Sequence, residues 1–125
     1  MSIAQKTIPA TFAAGQSLSN GVLLGDYTLC GFYFPAGWTG AGAITYQISV
    51  DNGLTWYELN DDAGAAVSVP AATAASKYYA INPDNAYLTG ATMLKLRSGT
   101  VAAPVVQTAG CVVTVVGRRI YPGVN

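Results

Sequence analysis

The chain has 125 residues with 6 Lys+Arg, 6 Asp+Glu and no His; 51% of it is hydrophobic and only 10% is charged. Soluble domains ordinarily carry about 25% charged residues, so this surface is unusually neutral. Zero net charge argues against a nucleic-acid partner, which calls for a basic patch, and the lack of His removes the commonest general base and metal ligand.

The length fits a single domain, residues 1–125, with a core of its own. Charge-free stretches at 27–50 and 98–117 raise the question of a membrane. Both are broken by Gly and Pro, and a spanning helix needs about 20 unbroken apolar residues. Met1–Lys6 lacks the apolar run of a secretory signal. That places synthesis in the cytoplasm, where Cys30 and Cys111 stay reduced. They read as small core hydrophobes, with a disulfide left open if both face one layer.

Taken in order, the chain predicts strands and few helices. Weak strand signals cover Gln5–Phe12 and Ser17–Leu23, followed by a strong one at Thr28–Phe34, which is apolar on both faces. Ile44–Val50 alternates with period two, placing Ile44, Tyr46, Ile48 and Val50 on one face. Weaker strands follow at Trp56–Leu59, Ala66–Val69 and Lys77–Ile81, and one helical turn is foreseen at Ala71–Ser76. Met93–Arg97 turns Leu94 and Leu96 inward and Lys95 and Arg97 outward. Cys111–Val116 is again apolar on both faces. Eight or nine short strands separated by Gly, Pro, Asn and Asp predict an all-β antiparallel sandwich or jelly roll. The ends, about 1–10 and 120–125, read as extended arms.

Three local patterns could carry function. Ser49-Val50-Asp51-Asn52-Gly53-Leu54-Thr55-Trp56 matches the S-x-D-x-G-x-T-W Asp box. Here Asp51 would accept turn N–H groups, Gly53 would take positive φ, and Trp56 would pack under the hairpin. The box resembles a hairpin repeated in sialidases, where it lies away from the catalytic centre, so the likeness implies a structural role for Ser49, Asp51, Gly53, Thr55 and Trp56. The second pattern, Glu58, Asn60, Asp61 and Asp62 before Gly64, offers oxygens for Ca²⁺ but not in EF-hand spacing, so a solvated turn competes with a cation site. The third is a wealth of Tyr, Phe and Trp. Trp38, in a Gly-rich loop, is the best placed for a sugar, against the reading that most rings are core or interface residues. Phe12, Phe34, Trp38 and Tyr121 are the candidates for partner contact.

Catalytic constellations are missing: no triad His, no G-x-S-x-G elbow, no zinc set and no phosphate loop. The chain reads as no enzyme, with no catalytic, metal or cofactor-binding residues and no cofactor.

The wording of Gly31-Phe32-Tyr33-Phe34-Pro35-Ala36-Gly37-Trp38-Thr39, of Tyr46–Gly53 and of Lys95–Thr100 resembles small virion proteins of tailed bacteriophages, over roughly Ser17–Arg118. The resemblance implies a capsid cement or decoration protein at the virion surface, a homodimer or homotrimer that binds assembled major capsid protein. The alternative is a carbohydrate-binding or tail-associated virion domain using exposed Trp and Tyr. A face due to be covered by protein gains from lacking charge, because unpaired charge is costly in a buried interface.

Overall fold

The computed structural model describes residues 2–82 and 84–121, and for 2, 3, 120 and 121 the backbone alone. Eight strands and one short helix run in the order β1 (Ser2–Phe12), β2 (Val22–Leu23), β3 (Thr28–Phe34), β4 (Ile44–Ile48), β5 (Tyr57–Glu58), β6 (Lys77–Ala80), α1 (Ala86–Thr89), β7 (Met93–Ser98) and β8 (Cys111–Tyr121). They form two four-stranded sheets, β1-β8-β3-β6 and β2-β7-β4-β5, antiparallel at each pairing. Every connection except β4–β5 passes from one sheet to the other. The protein is an all-β sandwich, as its strand pattern predicts.

Period-two alternation builds the core. Ala10 and Phe12 of β1, Phe32 and Phe34 of β3, Leu94 and Leu96 of β7, and Val113 and Val115 of β8 all point inward and are fully buried. β1 and β8 pair without a break from Ser2↔Tyr121 to Phe12↔Cys111. Residues 2–10, which read as an arm in the sequence, are thus most of β1, because Ile8, Ala10 and Phe12 share the inward face. Residues 122–125 lie outside the described residues.

Several sequence expectations shift. The weak signal at Ser17–Leu23 condenses to β2 plus a lone bridge, Leu18↔Arg97, and Ala66–Val69 to the bridge Asn60↔Ala66. Val50 does not continue the inner face of β4. It is 79% exposed because the strand ends at Ile48 and the Asp box begins. The helical turn is not at 71–76 but at Ala86–Thr89, where Leu88 plugs the end of the core.

The larger correction concerns the aromatic candidates. Phe12 and Phe34 are fully buried and Trp38 is 6% exposed. Trp38 meets Phe34 at 4.8 Å and Phe12 edge-on at 5.2 Å between centroids. Its indole N–H donates to Thr73 Oγ1 at 3.0 Å, and that hydroxyl donates to the Gly42 carbonyl at 2.8 Å. A Gly-rich loop suggested exposure, but the turn at Pro35–Trp38, closed by Trp38 N–H to the Pro35 carbonyl at 3.1 Å, folds the ring back over the open end of the sandwich. The three rings are core, with no face offered to a partner or a sugar. The side chain of Tyr121 lies outside the described residues.

Gln107, unremarked in the sequence, is also fully buried. Its amide accepts from Thr39 N–H at 2.8 Å and donates to the Thr39 carbonyl at 3.1 Å, pairing with one residue as a strand neighbour would. Its backbone bonds to Gly15 and Gln16 at 2.7 and 3.0 Å, tying three loops together.

Two stability measurements test this packing. Trp38→Ala is expected to lower unfolding free energy by about 3–5 kcal/mol, whereas an exposed contact residue would change it by under about 0.5 kcal/mol. Gln107→Leu is expected to cost about 1–3 kcal/mol, since it leaves partly buried backbone groups of Thr39 unpaired. Denaturant titration reads both.

Candidate interaction face

The two outer faces of the sandwich differ in chemistry. On the β2-β7-β4-β5 sheet the outward positions of β4, β5 and the facing part of β7 are polar and tied to one another, while Leu23 of β2, 54% exposed, and its partner Met93 are apolar. Arg97 Nη1 and Nη2 donate to Glu58 Oε1 and Oε2 at 2.6 and 2.8 Å, and Gln47 Nε2 donates to Glu58 Oε2 at 2.7 Å. The pair Thr45↔Arg97 lies in register beside them, and Arg97 also reaches Thr45 Oγ1 at 3.4 Å. The Arg97 guanidinium holds the Glu58 carboxyl below its ordinary value against a smaller upward push from burial.

On the other sheet the outward positions are neutral over the stretch from Thr7 to Thr11 and its neighbours, and the exposed Arg118, opposite Gln5 and Thr28, bounds that stretch at one end. The neutral positions are Thr7, Pro9 and Thr11 of β1, Val112, Thr114 and Val116 of β8, Tyr33 of β3, and Tyr78 and Ala80 of β6, brought side by side by the pairings Thr7↔Val116, Pro9↔Thr114, Tyr33↔Thr114 and Tyr33↔Tyr78. Tyr33, Tyr78 and Val112 stand 41%, 51% and 45% exposed. Tyr78 lies across the sheet: a Cβ on Gly31 would sit 2.0 Å from its hydroxyl, so only glycine lets the ring lie there. Burial against the sheet, with Cys30 beside it, pushes the Tyr78 phenol above its ordinary value. An apolar, Tyr-bearing patch without charge has the composition of an interface core. The signal was in the sequence, in the double-faced apolar pattern of β8 and the Tyr residues, but exposure of Tyr33 and Tyr78 rests on sheet order.

The Asp box closes the β4–β5 hairpin. Ser49 Oγ donates to Asp51 Oδ1 at 2.8 Å and accepts from Gly53 N–H at 2.7 Å, while Thr55 N–H donates to Asp51 Oδ1 at 2.8 Å. Asn52 and Gly53 take φ of 59° and 88°. Bonds from Thr55, then Ser49, hold the Asp51 carboxyl below its ordinary value. Trp56 packs over Gly21 and Gly53, with the Lys95 ammonium 4.5 Å from its ring centroid. All five residues serve the turn and the side chain beneath it.

The acidic loop does not converge on a cation. Glu58 faces Arg97, Asp61 Oδ1 accepts from the N–H groups of Ala63 and Ala65 at 2.9 Å each, and Asp62 Oδ1 accepts from Tyr87 Oη at 2.9 Å. Among the described residues no group of three or more His, Cys, Asp or Glu side chains is placed to hold a metal. Cys30 and Cys111 are both unbridged thiols; Cys30 donates to the Val116 carbonyl at 3.3 Å, and partial burial raises the Cys111 thiol above its ordinary value. A cleft of ≈ 400 Å³ beside β3 is lined in part by Asp26, Cys30, Arg118 and Arg119. Its carboxylate is held by Arg119 at 2.5 Å, and that guanidinium lies 4.9 Å over the Tyr27 ring. No described helix is long and apolar enough to cross a membrane.

No protein-family model matches the chain, and no curated protein matches it. Among solved structures it is similar to the SPBc2 prophage-derived protein YomS, with a TM-score of 0.57, over 95% of this chain and 96% of that one. The likeness is one of fold. Sequence identity is 13%, so it carries the sandwich and its topology and nothing of the site.

Glu58 sets an acid dependence. Its folded pKa lies below its unfolded value, so its contribution is present above the unfolded pKa and is lost as pH falls through the folded one. The melting temperature is expected to fall on acidification from about pH 5 toward pH 3, and Glu58→Gln to flatten that slope. Because Glu58 is partly exposed, solvent screening keeps the effect modest. Melting curves of both proteins across that range check it.

Proposed function

We propose that this protein is a non-enzymatic structural protein of a bacteriophage virion, of the capsid cement or decoration type. It binds the assembled major capsid protein at the outer surface of the shell after synthesis in the host cytoplasm, and it acts as a homo-oligomer with no nucleic-acid or membrane partner. The observation that carries this reading is the neutral patch around Tyr33 and Thr114 on the outer face of the β1-β8-β3-β6 sheet, in a chain that keeps a hydrogen-bonded ionic network on its other face. A solved structure of the same fold whose name marks it as prophage-derived adds support for a phage setting.

The mechanism is mass action. A protein that binds the assembled shell and not its separated subunits stabilises the shell by its binding free energy, so expansion or rupture must also break those contacts. No bond is made or broken, and the only chemistry asked of the face is complementarity. Charge there would have to be desolvated, at a cost that attraction seldom recovers. The carbohydrate alternative loses its anchor with the burial of Trp38.

Particles lacking the chain are expected to lose genome at lower temperature and in low salt, with resistance restored by adding the purified protein. Equal resistance with and without it refutes the role. Thr114→Lys, which places an ammonium at the centre of the face, is expected to weaken particle binding about tenfold or more. The same variant should shift unfolding free energy by no more than about 0.5 kcal/mol. Co-sedimentation with particles and denaturant titration separate the two effects.

A further inference from the structure

Strand β1 is an edge of its sheet, and it is longer than the sheet it borders. Its pairing with β8 runs to Ser2↔Tyr121, whereas β3 joins β8 no further than Thr28↔Arg118. Beyond Gln5, over residues 2–4 and 119–121, the sheet is therefore a ribbon of two strands, an arrangement that is marginal in water by itself.

The phase of the open edge follows from one residue. Thr11 N–H donates to Asn20 Oδ1 at 2.7 Å and its carbonyl accepts from Asn20 N–H at 3.1 Å, both away from β8. Because the β1–β8 register has no bulge, Pro9, Thr7, Gln5 and Ile3 also present their backbone groups outward. Pro9 sits at one of these outward positions, where its missing N–H costs no bond to β8. Among the described residues, no partner takes the outward groups of Gln5 and Thr7.

We infer that this edge pairs with the β1 edge of a second copy of the chain, antiparallel across a two-fold axis at Gln5. The register is selected by the sequence. Centred on Gln5, the bonded pairs are Gln5 with the second copy's Gln5 and Ile3 with the second copy's Thr7, twice over, each exchanging two backbone bonds. Pro9 then falls outside the run formed by Ile3–Thr7. Centring on Lys6 would bring Pro9, which has no N–H to give, into a bonded position opposite Ile3. Centring on Thr7 would spend a pair on Pro9 and demand Thr11, which Asn20 already holds. Lys6 would ordinarily guard such an edge, but its ammonium leans to the Tyr27 ring, 5.5 Å from the centroid, and away from the strand line. The product is a continuous eight-stranded sheet in which the two-stranded ribbons become four-stranded. This deepens the oligomer proposed above, and it rests on that reading for the choice of a second copy as occupant.

Sedimentation of the purified chain should give twice the 12.9 kDa of one copy; a monomer up to millimolar concentration overturns the inference. Gln5→Cys should oxidise to a covalent dimer, since directly opposed residues at about 5.5 Å between Cα atoms fall within disulfide reach. Thr7→Cys, opposed to Ile3, should not link, nor should the unsubstituted chain with Cys30 and Cys111. Linking of Thr7→Cys in place of Gln5→Cys refutes the register. Thr7→Pro removes an outward N–H while leaving the β1–β8 bonds intact, so it should yield a monomer with an unchanged circular dichroism spectrum. A folded Thr7→Pro variant that remains dimeric overturns the inference. These readouts use free protein, whereas the shell reading is measured on particles. A dimer that ignores particles would sink the shell role alone, and a monomer that protects them would sink the pairing alone.

Discussion

Strand β8 is the constraint on which the rest of this sandwich depends. It is the one strand with long partners on both sides, β1 along its full length and β3 through a bulge at Cys30. Val113 and Val115 on one side of it enter the core, and Val112, Thr114 and Val116 on the other form the spine of the neutral face. A one-residue slip would exchange the two sets and send the whole pattern to the wrong side. Register here is fixed less by the apolar count, since both faces are apolar, than by what lies at the ends. Gly117 provides for the approach of Tyr27, where a Cβ would meet the Tyr27 Cβ at 3.0 Å, and Gln107 pins the loop that feeds Cys111.

The shortage of charge is a distribution as much as a total. Arg97, Glu58 and Lys95 lie on one outer face, with Arg97 and Glu58 bonded there and Lys95 over Trp56. Arg119, Asp26 and Lys6 gather around Tyr27 at the end of the β1–β8 ribbon. What remains between, with Arg118 at its border, is a patch of sheet face with hydroxyls, a proline, valines and two tyrosines. Scattered apolar residues on a surface need no explanation. A contiguous charge-free patch on a central strand pair, with its ring positions set by a glycine that no other residue could replace without moving Tyr78, is a different observation.

How much of this was legible depended on whether the cause was local. β3 and β7 could be read from period-two alternation and β-branched or aromatic content, and the Asp box from spacing alone, because Ser49, Asp51, Gly53 and Thr55 act on one another within a single turn. The burial of Trp38 is not legible locally, because its environment is made by Phe12 and Phe34 from two strands and by Thr73 from a loop 35 residues on. Gln107 carried no signal, since a polar residue between two apolar runs reads as loop, and its partner Thr39 is 68 positions away. Val50 continued the alternation on paper, but the Asp box needs Ser49 to end the strand. Acidic residues in one short run suggested a common ligand, yet each had found a different partner.

Edge pairing and face docking use perpendicular directions of the same sheet, so neither occupies the other. Four strands spaced about 4.8 Å apart and some five residues long at about 3.4 Å each make a neutral face of only roughly 350 Å². A stable protein–protein contact takes about 800 Å² from each partner, so one copy falls short. Two copies joined along β1 would bring their faces onto one continuous sheet of roughly 700 Å², close to that size. The second face then binds at the effective concentration set by the first, with no flexible linker to dilute it. Twist is the remaining variable: adjacent strands rotate by about 20–25°, so an eight-stranded sheet presents a saddle and not a plane. A surface of matching curvature is what such a dimer would recognise, so the twist of the sheet as well as its neutrality would select the partner.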